Sequence, residues 1–315
     1  MINLFIINFK WLIPVSFFLF SFIEVKPQQA AKQNKEIDFV SDTQQPLAIE
    51  KIKLKSNHNI KATSMIFSEI LKNNPVALYM LGDIVGLGSS NRKWQTVDKF
   101  IDSCRKEKID IHALLGNHDV MWTRKKGERN FTKRFPQDDK LNYISLIDSI
   151  AIIMLNSNFK KLSADEIEKQ SGWYKLNLKN LDSNDAVKMI IVCCHHAPYS
   201  NSLIVGSSMQ VQQYFVPGFL QTEKCKLFIT GHAHAFEHFK ISGKDFLTIG
   251  GGGGLHQQLN TSANKIADLA SDYKPMFHYL SMLRNGNELF ITSHFLTNDF
   301  TGFQNGYSFQ IKMTE

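Results

Sequence analysis

The chain has 315 residues, 43% hydrophobic and 21% charged, a globular composition that excludes a disordered, collagen-like or coiled-coil protein. Four cysteines are too few for a disulfide framework at this length, and a net charge of +7 suits an anionic partner without naming one. Residues 1–23 carry a single charge, Lys10, and Trp11 to Ile23 form an apolar run. That run has the length of a signal-peptide core, about 7–15 residues, rather than the roughly 20 of a spanning helix. Residues 1–24 are therefore read as a signal peptide, with an uncleaved membrane anchor as the alternative. Either one exports the protein to the cell envelope or beyond it. Residues 25–35 read as a polar linker, and 36–315 as one folded domain.

Within that domain a short strand is expected at Ile37–Val40. Helical patterns follow over Leu47–Leu54 and Ala62–Leu71, then a strand at Val76–Leu81. A helix near Trp94–Cys104 precedes a strand at Ile109–Leu115. Tyr143–Ile147 and Ile150–Leu155 read as a hairpin turning at Asp148-Ser149. A helix near Gln170–Leu181 leads to a strand at Val187–Cys194. Further strands are expected at Leu227–Thr230, Phe246–Ile249, Phe277–Leu283 and Leu289–Phe295. This order points to an α/β domain with mixed sheets. Cys193 and Cys194 should face opposite sides of their strand as small buried hydrophobes; pairing of Cys104 with Cys225 is left open.

Polar residues gather just beyond the apolar runs. Asp42 and Gln44 follow the first strand, Asp83 the second, and Gly116-Asn117-His118-Asp119 the third. His195-His196 follow Val192-Cys193-Cys194, and Gly231-His232-Ala233-His234 follow Leu227–Thr230. Ligands bind at the carboxyl edge of α/β sheets, and oxygen and imidazole donors delivered there from five strands suit a multinuclear metal site. A lone carboxylate such as Asp83 can bridge two ions about 3.5–4 Å apart.

This series resembles the calcineurin-like metallophosphoesterase superfamily, whose blocks run D-x-H, G-D, G-N-H-D/E, H and G-H-x-H. The stretches Leu155-Asn156-Ser157-Asn158, Gln170-Ser171-Gly172-Trp173, His195 to Asn201 and Gly231 to His238 resemble the branch of the purple acid phosphatases. The resemblance implies a two-sheet β-sandwich flanked by helices in four layers (αββα), and makes 36–315 a catalytic domain. It places Asp42, Gln44 and His234 on one ion and Asn117, His195 and His232 on the other, with Asp83 between them. His118 would protonate the leaving group, with Asp119 as its candidate support. The departures are Gln44, where His is usual, and Gly86, where the purple enzymes carry a metal-binding Tyr and many other members an Asp that orients the catalytic His.

The carboxamide of Gln44 favours manganese or iron, with magnesium or zinc as further options, because amide oxygen is a harder ligand than imidazole. Two divalent ions, two carboxylates and a bridging hydroxide leave a centre of about +1, suited to an anionic ester. The expected reaction is hydrolysis of a small-molecule phosphate ester by that hydroxide, monoesters ahead of diesters. A nucleotide or lipid-headgroup pyrophosphatase is the alternative, and a non-catalytic envelope interaction protein on a decayed scaffold the second. His196, Tyr199, Asn201, His238 and His256 are candidate substrate contacts. The glycines Gly250–Gly254 read as a tight strand end under the site. Basic residues at Arg124-Lys125-Lys126 and Lys133-Arg134 read as a solvated loop, so no nucleic acid is expected. Membrane contact would run through residues 1–24, and the oligomeric state is left open.

Overall fold

Strand β1 (Ile37–Val40) sends Ile37 and Phe39 to one face and Val40 to the other, the period-two alternation of an extended chain buried on both sides. The computed structural model describes residues 36–53, 58–136 and 142–314, and the expected signal peptide or anchor and the polar linker lie outside them. Helices α1 (Ala48–Lys53) and α2 (Asn59–Asn73) follow, then β2 (Ala77–Met80), α3 (Asn91–Lys106), β3 (Asp110–Ala113) and α4 (Arg124–Thr132). The hairpin β4 (Tyr143–Ile147) and β5 (Ile150–Leu155) turns at Asp148 and Ser149, with φ of 44° and 64°. Next come α5 (Ala164–Asp182), β6 (Met189–Cys194), α6 (Met209–Tyr214), α7 (Val216–Gln221), β7 (Cys225–Thr230), β8 (Phe236–Ile241) and β9 (Lys244–Ile249). Strands β10 (His278–Asn285), β11 (Glu288–Leu296) and β12 (Phe303–Lys312) end the chain.

The strands form two mixed six-stranded sheets, ordered β12-β11-β10-β1-β2-β3 and β4-β5-β6-β7-β9-β8. One core lies between them, where Phe39, Tyr79, Ile152, Ile191 and Leu280 meet. A second lies under α2 and α3, with Ile66, Phe100 and Trp94; a third lies under α5, α6 and α7, with Tyr174, Phe215 and Phe219. The result is the expected four-layer α/β/β/α sandwich. Strand β6 shows how sequence dictates it: Met189, Ile191 and Cys193 enter the central core, while Ile190, Val192 and Cys194 enter the outer one.

Cys104 belongs to the α2/α3 core and Cys225 to the α5–α7 core, so they do not pair; all four cysteines are free thiols. The basic stretch is not a solvated loop. Arg124 opens α4 and pairs with Glu128 and Glu166, while Arg134 pairs with Asp98 and lies over Trp94. No helix among the described residues is long and apolar enough to cross a membrane.

Candidate metal centre

Strands β1, β2 and β3 run parallel in one sheet, as do β6 and β7 in the other, so the loops after them meet at one edge. The loops are locked together through backbone. Asp42 N–H donates to Gly82 O at 3.0 Å, Gln44 N–H to Asp83 O at 3.0 Å, and Gly231 N–H to His195 O at 3.0 Å. A Cβ on Gly116 would collide with the Asp83 carboxylate, and one on Gly231 with Ser41 and Asp42, so only glycine permits these approaches. Asp42, Asp83 and His232 take left-handed backbone conformations, with φ of 60°, 49° and 67°. Each such residue costs on the order of 1 kcal/mol or more, a strain that surrounding contacts hold in place and that clusters at functional sites.

The donors converge in two groups that share Asp83. Asp83, His195 and His232 form one, and Asp42, Asp83 and His234 the other, their ligand atoms lying within 4.8 Å of one another inside each group. Asp83 Oδ2 lies 3.3 Å from His195 Nε2, and Asp42 Oδ1 lies 3.3 Å from His234 Nε2. Those two oxygens are buried and accept no hydrogen bond, although a buried carboxylate oxygen is costly without a partner. The other oxygen of each carboxylate is satisfied: His118 N–H donates to Asp83 Oδ1 at 2.8 Å, and His232 N–H to Asp42 Oδ2 at 2.9 Å.

The imidazoles are oriented by their second nitrogens. His195 Nδ1–H donates to Leu81 O at 3.0 Å and His234 Nδ1–H to Leu255 O at 2.7 Å, which turns each Nε2 inward as a candidate ligand atom. The Gln44 amide nitrogen donates to the carbonyls of Asp42 at 3.0 Å and Asp83 at 2.9 Å, leaving its oxygen facing His234 Nε2 at 3.2 Å. Asn117 Oδ1 lies 3.2 Å from His195 Nε2. All seven expected ligands therefore come together. Two orphaned carboxylate oxygens and inward imidazoles fit divalent cations, and the mixed oxygen and nitrogen set suits manganese, iron, magnesium or zinc.

Electrostatics agree. Burial raises the Asp83 carboxyl, but His195, His118 and His232 outweigh it and hold it well below the usual carboxylate range. Burial likewise opposes the charged His195, yet the Asp83 carboxylate lifts it to about 9. His232, beside His196 and His195, is driven well below its ordinary value by burial and by those rings.

His118 lies at the rim of this pair. Its Nε2 is 3.6 Å from Glu50 Oε1 and 3.8 Å from Asp83 Oδ2, and its Nδ1 is 3.3 Å from Gly86 O. A backbone carbonyl thus stands where other members use an Asp side chain, and a Cβ at Gly86 would press on Gln45 O. Asp119 is not the support of His118. Its carboxylate accepts from Gly116 N at 2.9 Å, Ile84 N at 3.1 Å and Val85 N at 3.2 Å, fastening the Asp83 loop to the Asn117 loop. Glu50 was not foreseen, because a Glu on a short helix carries no signal of its own.

Of the substrate candidates, His196 reaches the site. Its Nδ1 shares a hydrogen with Ser157 Oγ at 2.8 Å, and its ring lies 4.4 Å from that of His232. Three others do not. Tyr199 packs edge-on against Phe246 in the outer core. Asn201 bonds the backbone of Ile266 through both ends of its amide. His238, on β8, lies between Asp245 and Tyr307, each at 3.0 Å. The glycine run is a backbone strip under the site, with Gly252 N–H donating to Ser41 O at 2.9 Å and Gly254 N–H to Asp42 O at 2.8 Å.

A cleft of about 610 Å³ opens from Asn117 and His232 past His196 toward Lys160, Lys161 and Met209. Such a volume lies in the small-molecule range of about 300–1,000 Å³.

The family model described as calcineurin-like phosphoesterase matches residues 35–236. No curated protein sequence matches the chain. Among solved structures, a purple acid phosphatase from yellow lupin (Lupinus luteus) seeds is similar at 15% identity and TM-score 0.63, over 88% of this chain and 53% of that one. This chain thus spans about half the lupin enzyme's length. GAP50, the anchor in the inner membrane complex of Plasmodium, is similar at 17% identity and TM-score 0.61, over 89% of each chain. A dimetal phosphatase from Danio rerio is similar at 13% identity and TM-score 0.52, over 89% of this chain and 99% of that one. At these identities the likeness is one of fold.

Proposed function

Because the chain belongs to the calcineurin-like phosphoesterase family, we propose that it is a hydrolase of small-molecule phosphate monoesters that works with two divalent cations. The observation that carries this reading is the pair of buried, unpartnered oxygens, Asp42 Oδ1 and Asp83 Oδ2, each facing an imidazole Nε2. Asp42, Gln44 and His234 would hold one ion, Asn117, His195 and His232 the other, and Asp83 both. When bound, two such ions supply charge for the phosphoryl oxygens and make water acidic enough to attack near neutral pH.

The chain's own groups do the rest. The cleft admits the ester from the side of His196 and His232. His118, its Nδ1 at Gly86 O, presents Nε2 toward the centre and gives its proton to the departing alkoxide. General-acid help of this kind is worth roughly 10²–10⁴-fold. Glu50 Oε1, 3.6 Å from that Nε2, is the side chain placed to aim the ring. Asp119 keeps the Asp83 and Asn117 loops in register.

The test is turnover of p-nitrophenyl phosphate, bis-p-nitrophenyl phosphate and a nucleotide pyrophosphate with manganese, iron, magnesium or zinc. Monoester turnover ahead of the other two supports the reading. Faster pyrophosphate cleavage favours the pyrophosphatase alternative, and no turnover with any metal favours the non-catalytic scaffold. Export through residues 1–24 belongs to the same proposal: mass spectrometry of the mature chain should find a start beyond residue 24, or an intact Met1 in the membrane fraction for an anchor.

A further inference from the structure

The cleft has two ends of different character. Its inner end is formed by Asn117 and His232, candidate ligands of one ion; its outer end carries Lys160 and Lys161, and among the described residues no Asp or Glu lines it. The two lysines stand on a rigid turn, the 3-10 segment Phe159–Lys161. Asn158 Nδ2 donates to Leu115 O at 2.9 Å at the near end, and Arg124 Nη1 donates to Lys161 O at the far end. Phe159 is buried between them, stacked on Tyr214 with ring centroids 5.2 Å apart. Arg124 is itself fixed by Glu128 and Glu166. Among the described residues those carboxylates engage Arg124, while neither lysine ammonium has an ion-pair or hydrogen-bond partner. Two free cations on a pinned turn, in a carboxylate-free cleft leading away from the reacting centre, make a preorganised receptor for negative charge.

We propose that Lys160 and Lys161 form a second anion subsite, which takes a second phosphate of the substrate, remote from the reacting one. The preferred substrates are then bisphosphorylated small molecules or nucleoside diphosphates rather than esters of neutral alcohols. This deepens the phosphatase reading and rests on it for the identity of the inner end.

Calorimetry on the metal-loaded full chain tests the subsite without turnover. The probes are alkane-1,ω-bisphosphonates of two to six carbons, each against the alkyl monophosphonate of the same length. At least one length should bind about tenfold tighter than its monophosphonate. That advantage should vanish in the Lys160→Ala/Lys161→Ala variant, persist in Lys160→Arg/Lys161→Arg, and shrink when salt rises from 0.02 to 0.5 M, as expected for exposed charges. An advantage below twofold at every length, or one that survives the alanine pair, overturns the subsite. Turnover of glucose 1,6-bisphosphate against glucose 6-phosphate, and of ADP, then separates ester-linked from anhydride-linked second phosphates. Failure here with intact p-nitrophenyl phosphate turnover removes only the subsite. Bisphosphonate preference in a chain that hydrolyses none of these esters removes the phosphatase reading instead.

Discussion

His118 and Asp83 are joined through backbone: the His118 N–H donates to Asp83 Oδ1 at 2.8 Å, while the His118 ring approaches the other oxygen of that carboxylate, Nε2 to Oδ2, at 3.8 Å. One short loop thereby fixes both the shared carboxylate and the proposed proton donor. Any shift of the loop moves both groups together.

This relationship separates donor from ligand. His118→Ala keeps the N–H that holds Asp83, so the chain should retain two metal ions while kcat falls by about 10²–10⁴-fold. Glu50→Ala should lower kcat with both ions retained, because Glu50 Oε1, 3.6 Å from His118 Nε2, helps to aim that ring. Parallel metal analysis and steady-state kinetics check both. Loss of metal in His118→Ala would make the side chain a ligand instead.

The pH dependence of the metal-free and metal-loaded chains should run in opposite directions. In the metal-free chain the His195 imidazolium is held by Asp83 at about 9, above its ordinary value near 6.5. Its contribution to stability is then complete below about pH 6.5 and is lost as pH rises through 9. Cations bind the neutral ring, so their affinity should instead rise over the same interval. Thermal melts with chelator and with manganese, from pH 6 to 9.5, read both trends.

Gln44 supplies an oxygen where an imidazole is usual, and its amide is aimed by the Asp42 and Asp83 carbonyls. Gln44→His should shift the order of activation toward zinc and away from manganese, with the fold intact. Activity titrated against each metal measures the shift. An unchanged order would remove Gln44 from the ligand set.

His238 is a structural residue despite its place beside the His232-Ala233-His234 motif. Its ring joins Asp245 and Tyr307 within the β8–β9 hairpin and the facing sheet. His238→Ala should destabilise the chain by about 1–3 kcal/mol, the cost of stranding buried partners, while KM and kcat stay within about twofold. Urea denaturation and steady-state kinetics give the two numbers.

What the sequence made legible follows from where the chemistry is written. Strands buried on both faces, such as β6 and β7, announce themselves as apolar runs, and candidate ligands follow them within a few residues. The seven polar residues that the structure brings together could therefore be named in order as candidate ligands. Strand β12 was missed because it is an edge strand, half exposed, with Gln304, Asn305 and Gly306 breaking its pattern. Strand β8 was hidden by its polar Glu237 and His238, which are buried against partners distant in sequence, Ser200 and Tyr307. Tyr199 and Asn201 misled for a related reason: they sit near a ligand in the chain, but direction is set by packing against Phe246 and Ile266. The support of His118 was invisible because it is the main chain at Gly86, and a backbone carbonyl leaves no letter in a sequence.

Metal stoichiometry tests the central claim most directly. After loading with manganese and dialysis, elemental analysis of the wild-type chain should give two ions per chain, and Asp83→Asn one or none with loss of p-nitrophenyl phosphate turnover. A folded wild type that holds fewer than two ions, or an Asp83→Asn chain that keeps both ions and its turnover, would contradict the account.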